Sequence, residues 1–142
     1  MSCDWNHYLD IAELLTKTED PNKEAYYRCC ISRAYYAVFN IFRDFIELNR
    51  LATLADNGQD HANVERWVRF NLKKAIVKWE RLHNNRIACD YFTDLDKPYR
   101  PCGDLRLKSL PSQANISLED ARFIIQELNK IAPRYQIPDQ SK

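Results

Sequence analysis

The residues of this chain best suited to chemistry lie in the run His83-Asn84-Asn85-Arg86-Ile87-Ala88-Cys89-Asp90-Tyr91. Residues three and four apart share a helix face, so His83, Arg86 and Asp90 line up there. Arg86 also continues the apolar spacing of Trp79 and Leu82 and should point inward or into a groove. A buried guanidinium needs partners, because an unpaired buried charge is very costly. An ion pair with Asp90 that fixes the helix end would meet that need. So would a phosphate, which arginine can grip through two parallel hydrogen bonds.

A second polar line, Ser32, Tyr36, Asn40 and Arg43 with Arg33 beside it, interrupts an otherwise apolar stretch. It reads as a solvent-facing stripe, as a lining where another helix docks, or as a surface facing Arg86 across a cleft. Basic residues follow in two helical lines, Arg66, Arg69 and Lys73, then Lys74, Lys78 and Arg81. Lys97, Arg100, Arg106 and Lys108 come next, near Tyr91, Phe92 and Tyr99. Basic groups interleaved with aromatic ones suit single-stranded RNA, with charge on the backbone and rings on bases. Ordinary surface helices carry such residues too.

The devices of many enzymes are missing from the sequence: no glycine-rich phosphate loop, no HExxH, no GxSxG, and no acidic cluster spaced for a metal. No metal or other cofactor is expected. The histidines His7, His61 and His83 are far apart in sequence. The five cysteines, Cys3, Cys29, Cys30, Cys89 and Cys102, are odd in number and have no CxxC spacing, so they read as small buried thiols in a reducing compartment.

These groups must be positioned by helices. The 142 residues fit one domain and contain only Gly58 and Gly103 as glycines, whereas all-β folds spend glycine on turns. The net charge of +1 gives no global field for nucleic acid or membrane, but its distribution is uneven. Residues 1–60 hold six Lys/Arg against ten Asp/Glu, and residues 61–110 hold eleven against six. The N-terminal Met-Ser-Cys-Asp-Trp-Asn-His is polar, and no apolar run reaches membrane-spanning length, so a cytoplasmic chain without membrane contact is expected.

Asp4 can cap a first helix running to about Lys17, with Tyr8, Ile11, Ala12, Leu14 and Leu15 as its apolar stripe. Asp20-Pro21 signals the start of a second, running to about Asn49 on Tyr27, Cys30, Ile31, Ala34, Val38, Ile41, Phe42, Phe45 and Leu48. Residues 51–60 form a loop. From Ala62 to Asp90 helical spacing continues, either as one helix or as two with a turn near Asn71 to Lys74. Residues 91–116, with Pro98, Pro101, Pro111 and Gly103, read as a long irregular loop. Ser117-Leu-Glu-Asp120 reads as a capping box opening a last helix that ends at Pro133, with a frayed tail from about 134 to 142. The expectation is all-α: one domain over 1–142, an up-down antiparallel bundle of four to five helices.

The segment Tyr26-Tyr-Arg-Cys-Cys-Ile-Ser-Arg-Ala-Tyr-Tyr-Ala-Val-Phe-Asn40 resembles the long second helix of small stand-alone bacterial HEPN (higher eukaryote and prokaryote nucleotide-binding) proteins. Arg86-Ile-Ala-Cys-Asp-Tyr91 resembles the arginine-led motif late in that domain. The likeness runs over about residues 5–132. It implies a helical bundle, a homodimer, and a role in RNA processing, toxin–antitoxin pairs or anti-phage defence, with a nucleotidyltransferase as a companion protein. Nuclease members of the family are metal-independent RNases carrying a histidine four to six residues after the arginine. Here the positions that could hold it are Tyr91, Phe92 and Thr93. Arg86 carries over and the catalytic histidine does not.

The resemblance therefore implies binding of RNA, a nucleotide or a partner protein, with Arg86, Asp90, Tyr91, Arg33, Tyr36 and Asn40 as ligand-binding candidates. One alternative is an endoribonuclease in which His83 or Tyr91 supports Arg86. A second is a non-enzymatic dimerising scaffold.

Overall fold

The computed structural model describes residues 3–96, 106 and 109–135. Five α-helices follow one another: α1 Asn6–Lys17, α2 Lys23–Leu48, α3 Asp60–Asn71, α4 Ile76–Tyr91 and α5 Leu110–Ile131, with a 3-10 turn over Ala132–Arg134. Among the described residues there is no strand. The chain is an all-α helical bundle. No helix among the described residues is long and apolar enough to cross a membrane.

Local chemistry sets the helix ends. The Asp4 carboxylate accepts the Asn6 backbone N–H and so starts α1. Asp20 accepts the Asn22 N–H, making a turn of Pro21 and Asn22, so α2 begins at Lys23 rather than at the proline. At its other end Leu51 N–H reaches Ile46 C=O at 3.0 Å and Arg50 N–H reaches Glu47 C=O at 3.1 Å. This is a Schellman closure, and it puts Arg50 at φ 54°, the left-handed region usually taken by glycine. The stretch from 62 to 90 is two helices. Leu72 and Ala75 bury themselves in the turn between them, and Ala75 N–H bonds Leu72 C=O.

Helix α2 is the spine, packed by all four others. Cross-helix pairs give the directions. Trp5, just before α1, donates to Asp44 near the end of α2, so these two helices run antiparallel. So do α2 and α4, which meet at Ser32 and Asp90 at one end and at Phe42 and Trp79 further along. Helices α4 and α5 are antiparallel through Arg81–Asp120 and Asn85–Gln113. Helix α3 lies along α2 in the same direction, with His61 against Phe39 and Trp67 against Phe45, because the segment 49–59 doubles back first.

Encirclement explains why a single apolar stripe underestimates α2: a helix covered on several sides is buried on several faces. Tyr35, Ala37 and Phe39 are core residues alongside the expected Cys30, Ile31, Ala34, Val38 and Phe42, while the expected Leu48 is exposed. In α1 the core residues are Leu9 and Ala12, and Ile11 and Leu14 face outward. Full burial of side chains such as Trp79, Tyr35 and Phe42 stabilises the fold by roughly 1.5–3 kcal/mol each.

The last helix corrects the expected loop of 91–116. Helix α5 starts at Leu110, seven residues before Ser117, with Pro111 in its first turn where a missing N–H costs nothing. Leu110, Ala114, Leu118 and Ala121 are all buried at helical spacing. Ser117 is interior and its hydroxyl lacks a partner. Asp120, rather than closing a capping box, is claimed by Arg81 in two hydrogen bonds of 2.7 and 2.6 Å. The tail beyond residue 135, Cys102 and the candidates Lys97, Tyr99, Arg100 and Lys108 lie outside the described residues. Of the other cysteines, Cys30 and Cys89 are buried, and burial pushes each thiol up to about 12. Contrary to expectation, Cys3 and Cys29 are exposed.

Candidate nucleotide site beside Arg86

Arg86 is 5% exposed. Its guanidinium carbon lies 4.8 Å from the Tyr35 ring centroid and 5.3 Å from that of Tyr36. Consecutive residues of α2 therefore present two ring faces to one cation, an arrangement that strengthens when water is excluded. The expected partner Asp90 is there at 3.7 Å, and it also accepts from the Ser32 hydroxyl. That ion pair is long, and the buried Nε of Arg86 has no acceptor. A buried donor left unmade usually costs about 1–3 kcal/mol.

Two histidines complete the cluster. His83 stacks on Tyr35 with centroids 4.8 Å apart, and His61 stacks on Phe39 at 4.2 Å. The histidine rings themselves are 5.9 Å apart and nearly parallel. Tyr35 Oη lies 2.7 Å from Nδ1 of His61. Burial first, then the Arg86 charge, lowers both histidines to about 4, so both are neutral at pH 7. Burial raises Tyr35 well above the ordinary phenol value, with Arg86 pulling against it, so the phenol keeps its proton. Tyr35 Oη and His61 Nδ1 thus share one hydrogen bond between a neutral phenol and a neutral imidazole. Glu65 stands 3.7 Å from Nδ1 of His83, and a neutral imidazole makes this a polar contact rather than an ion pair.

Beside the cluster opens a pocket of about 380 Å³, lined by Tyr36, Phe39, Asn40, Arg43, Asp56, Asn57, Gly58, Asp60 and His61. The 49–59 segment makes its outer wall. The Asp60 carboxylate holds that wall in place by accepting the Ala55 and Asp56 N–H groups, with Asp56 at φ 57°. Asn40 donates to Tyr36 C=O, and Arg43 lies 5.8 Å over the Phe39 ring.

The structure thus brings Arg86, His83, Asp90, Tyr36 and Asn40 to one region. The α2 polar line is a docking and pocket line, not a solvent stripe. Arg33 lies elsewhere, over the ring of Tyr8 of α1 at 5.6 Å. Tyr91 is 72% exposed, about 140° round α4 from Arg86. Sequence reasoning missed His61 and Tyr35. His61 is 22 residues from His83 and on another helix, so no local spacing signals their meeting. Part of the basic surface is also spoken for: Arg69 pairs with Glu80 at 2.7 Å, Arg81 with Asp120, and Lys78 covers Phe123.

Among the described residues no group of three or more His, Cys, Asp or Glu is placed to hold a metal ion. Comparison with protein-family models, with curated proteins and with solved structures gave no match.

Proposed function

We propose that this chain is a HEPN-like protein that binds RNA or a nucleotide beside Arg86, in an RNA-processing, toxin–antitoxin or defence setting, without the histidine usual in the family's nucleases. The observation that carries this reading is Arg86 itself. It is a buried guanidinium held by two tyrosine rings, with an unpartnered Nε donor and one long ion pair, and one of those rings, Tyr36, lines an open polar pocket. Such a group favours an anion nearby without reorganising to meet it. A homodimer and a nucleotidyltransferase companion belong to the reading through the family resemblance. A single 16.9 kDa particle in light scattering would remove the dimer from it.

A second reading, a metal-independent RNase, is favoured by the pairing of His61 with His83 around Tyr35. A neutral imidazole of this pair can take the proton of a ribose 2′-hydroxyl and, once protonated, pass it to the leaving oxygen. Incubation with total RNA and short single-stranded RNA in excess chelator separates the two. Binding without cleavage, weakened in Arg86→Ala, supports the first. Cleavage lost in both Arg86→Ala and His83→Ala supports the second. Neither binding nor cleavage overturns both.

A further inference from the structure

We infer that the pocket between α2 and the 49–59 segment is the ligand subsite, that it takes one nucleoside phosphate, and that Arg43 rather than Arg86 touches the phosphate. This rests on the proposed binding of RNA or a nucleotide and says where the ligand sits.

Arg86 cannot be the contact residue from where it stands. It is almost wholly covered and does not line the pocket, whereas Tyr36, whose ring it covers, does. Its work is to hold Tyr36 and the histidine stack in place. It is a positioning residue. Arg43 lines the pocket directly, with its side chain about one third exposed. Its ion pair with Asp44 is 3.7 Å long, and Asp44 is already hydrogen-bonded to the Trp5 indole at 2.7 Å, so the Arg43 guanidinium is poorly neutralised. That leaves it donors for a phosphate.

Of the two carboxylates in the lining, Asp60 is spent on the Ala55 and Asp56 N–H groups, and Asp56 suits the hydroxyls of a sugar rather than the phosphate. His61 lines the pocket with Nδ1 engaged by Tyr35, which leaves Nε2 for a ligand. The Asn40 side chain has one amide proton on Tyr36 C=O and keeps its second N–H and its carbonyl oxygen. Asn40 lies about one helical turn from Arg43 on α2, His61 faces the same pocket from α3, and the Tyr36 ring is an apolar wall. A volume of about 380 Å³ falls in the range of small-ligand pockets. The source can be a free mononucleotide or one residue of single-stranded RNA.

Gly58 provides a clean test. It lines the pocket, and a Cβ built on it meets nothing within 4 Å, so a large side chain can be added there without a clash at its root. Gly58→Phe should narrow the pocket from its outer wall while changing no residue that touches Arg86. AMP and adenosine would be titrated by calorimetry, and a fluorescein-labelled single-stranded RNA octamer by anisotropy. Wild type, Gly58→Phe, Arg43→Gln and Arg86→Lys would be compared after thermal melting shows each to be folded. The expected result is that AMP, RNA or both bind wild type, that adenosine binds at least tenfold more weakly than AMP, and that Gly58→Phe and Arg43→Gln each lose tenfold or more. AMP binding alone identifies a mononucleotide site, and RNA binding alone a subsite of a longer strand. Binding that survives both pocket variants yet falls in Arg86→Lys overturns this inference and leaves the proposed function standing. No binding of either probe to wild type overturns both.

Discussion

The Tyr35 hydroxyl and His61 Nδ1, on different helices and 26 residues apart, lie 2.7 Å from one another, and the tyrosine keeps the proton. This one bond joins α2 to the start of α3. It anchors the imidazole by Nδ1 in a ring that also lines the pocket. His83, from α4, stacks on the ring of the same tyrosine, so Tyr35 is the pivot on which both histidines rest.

Acid should weaken the fold through these histidines. Both are held near 4 in the folded chain against an ordinary value of 6.5, so the unfolded chain takes up protons first. Their contribution is complete above about pH 6.5 and is lost as pH falls towards 4. After allowance for partial solvent exposure it is on the order of 2 kcal/mol for the pair. Melting curves across this window should show Tm falling, and His83→Phe, which keeps the stack, should flatten the fall. An unchanged slope in that variant would show that His83 is not held neutral.

Replacing Arg86 by alanine removes a cation from between two rings and opens a cavity in a buried site. The expected loss is about 3 kcal/mol by chemical denaturation. Arg86→Met, which fills the space, should lose about half of that. Equal losses would place the role of Arg86 in its charge alone.

Arg81 grips a carboxylate that is only 3% exposed. Arg81→Gln strands that charge and should cost about 2 kcal/mol, the exposed side of the arginine moderating the effect. Adding Asp120→Asn should restore much of it. A double variant no better than the single would mean the packing of Arg81, rather than the pairing, supports the contact between α4 and α5.

Arg50 occupies a left-handed position at the end of α2 without being glycine. Arg50→Gly should raise stability by roughly 0.5–1 kcal/mol, relieved strain outweighing the added freedom of the unfolded chain. A drop in Tm would show that the Arg50 side chain makes a contribution larger than that strain.

The helices were legible in the sequence because the apolar spacing of α1, α2 and α4 is local information, as is the shortage of glycine. The end of α5 nearest the loop was not, because Pro111 reads as a breaker unless Leu110 and Ala114 are seen to continue the stripe of Leu118 and Ala121. At the site, Arg86, His83 and Asp90 could be grouped from spacing alone. His61 and Tyr35 could not, since their meeting depends on the 49–59 segment folding back to lay α3 alongside α2. Arg33 and Asn40, both beside the Tyr35-Tyr36 pair in sequence, part company for the same reason: which face of α2 meets which neighbour is a property of the assembled bundle.

Because α2 supplies core on most of its faces and pocket residues on another, its length is constrained as tightly as its composition. One residue inserted or deleted near Ala37 would rotate everything beyond by about 100°. Asn40 and Arg43 would swing off the pocket, and Phe42 and Ile46 off the core, in the same stroke. Change in this chain over evolutionary time should therefore come by substitution along α2, and by gain or loss of residues in the connections that flank it.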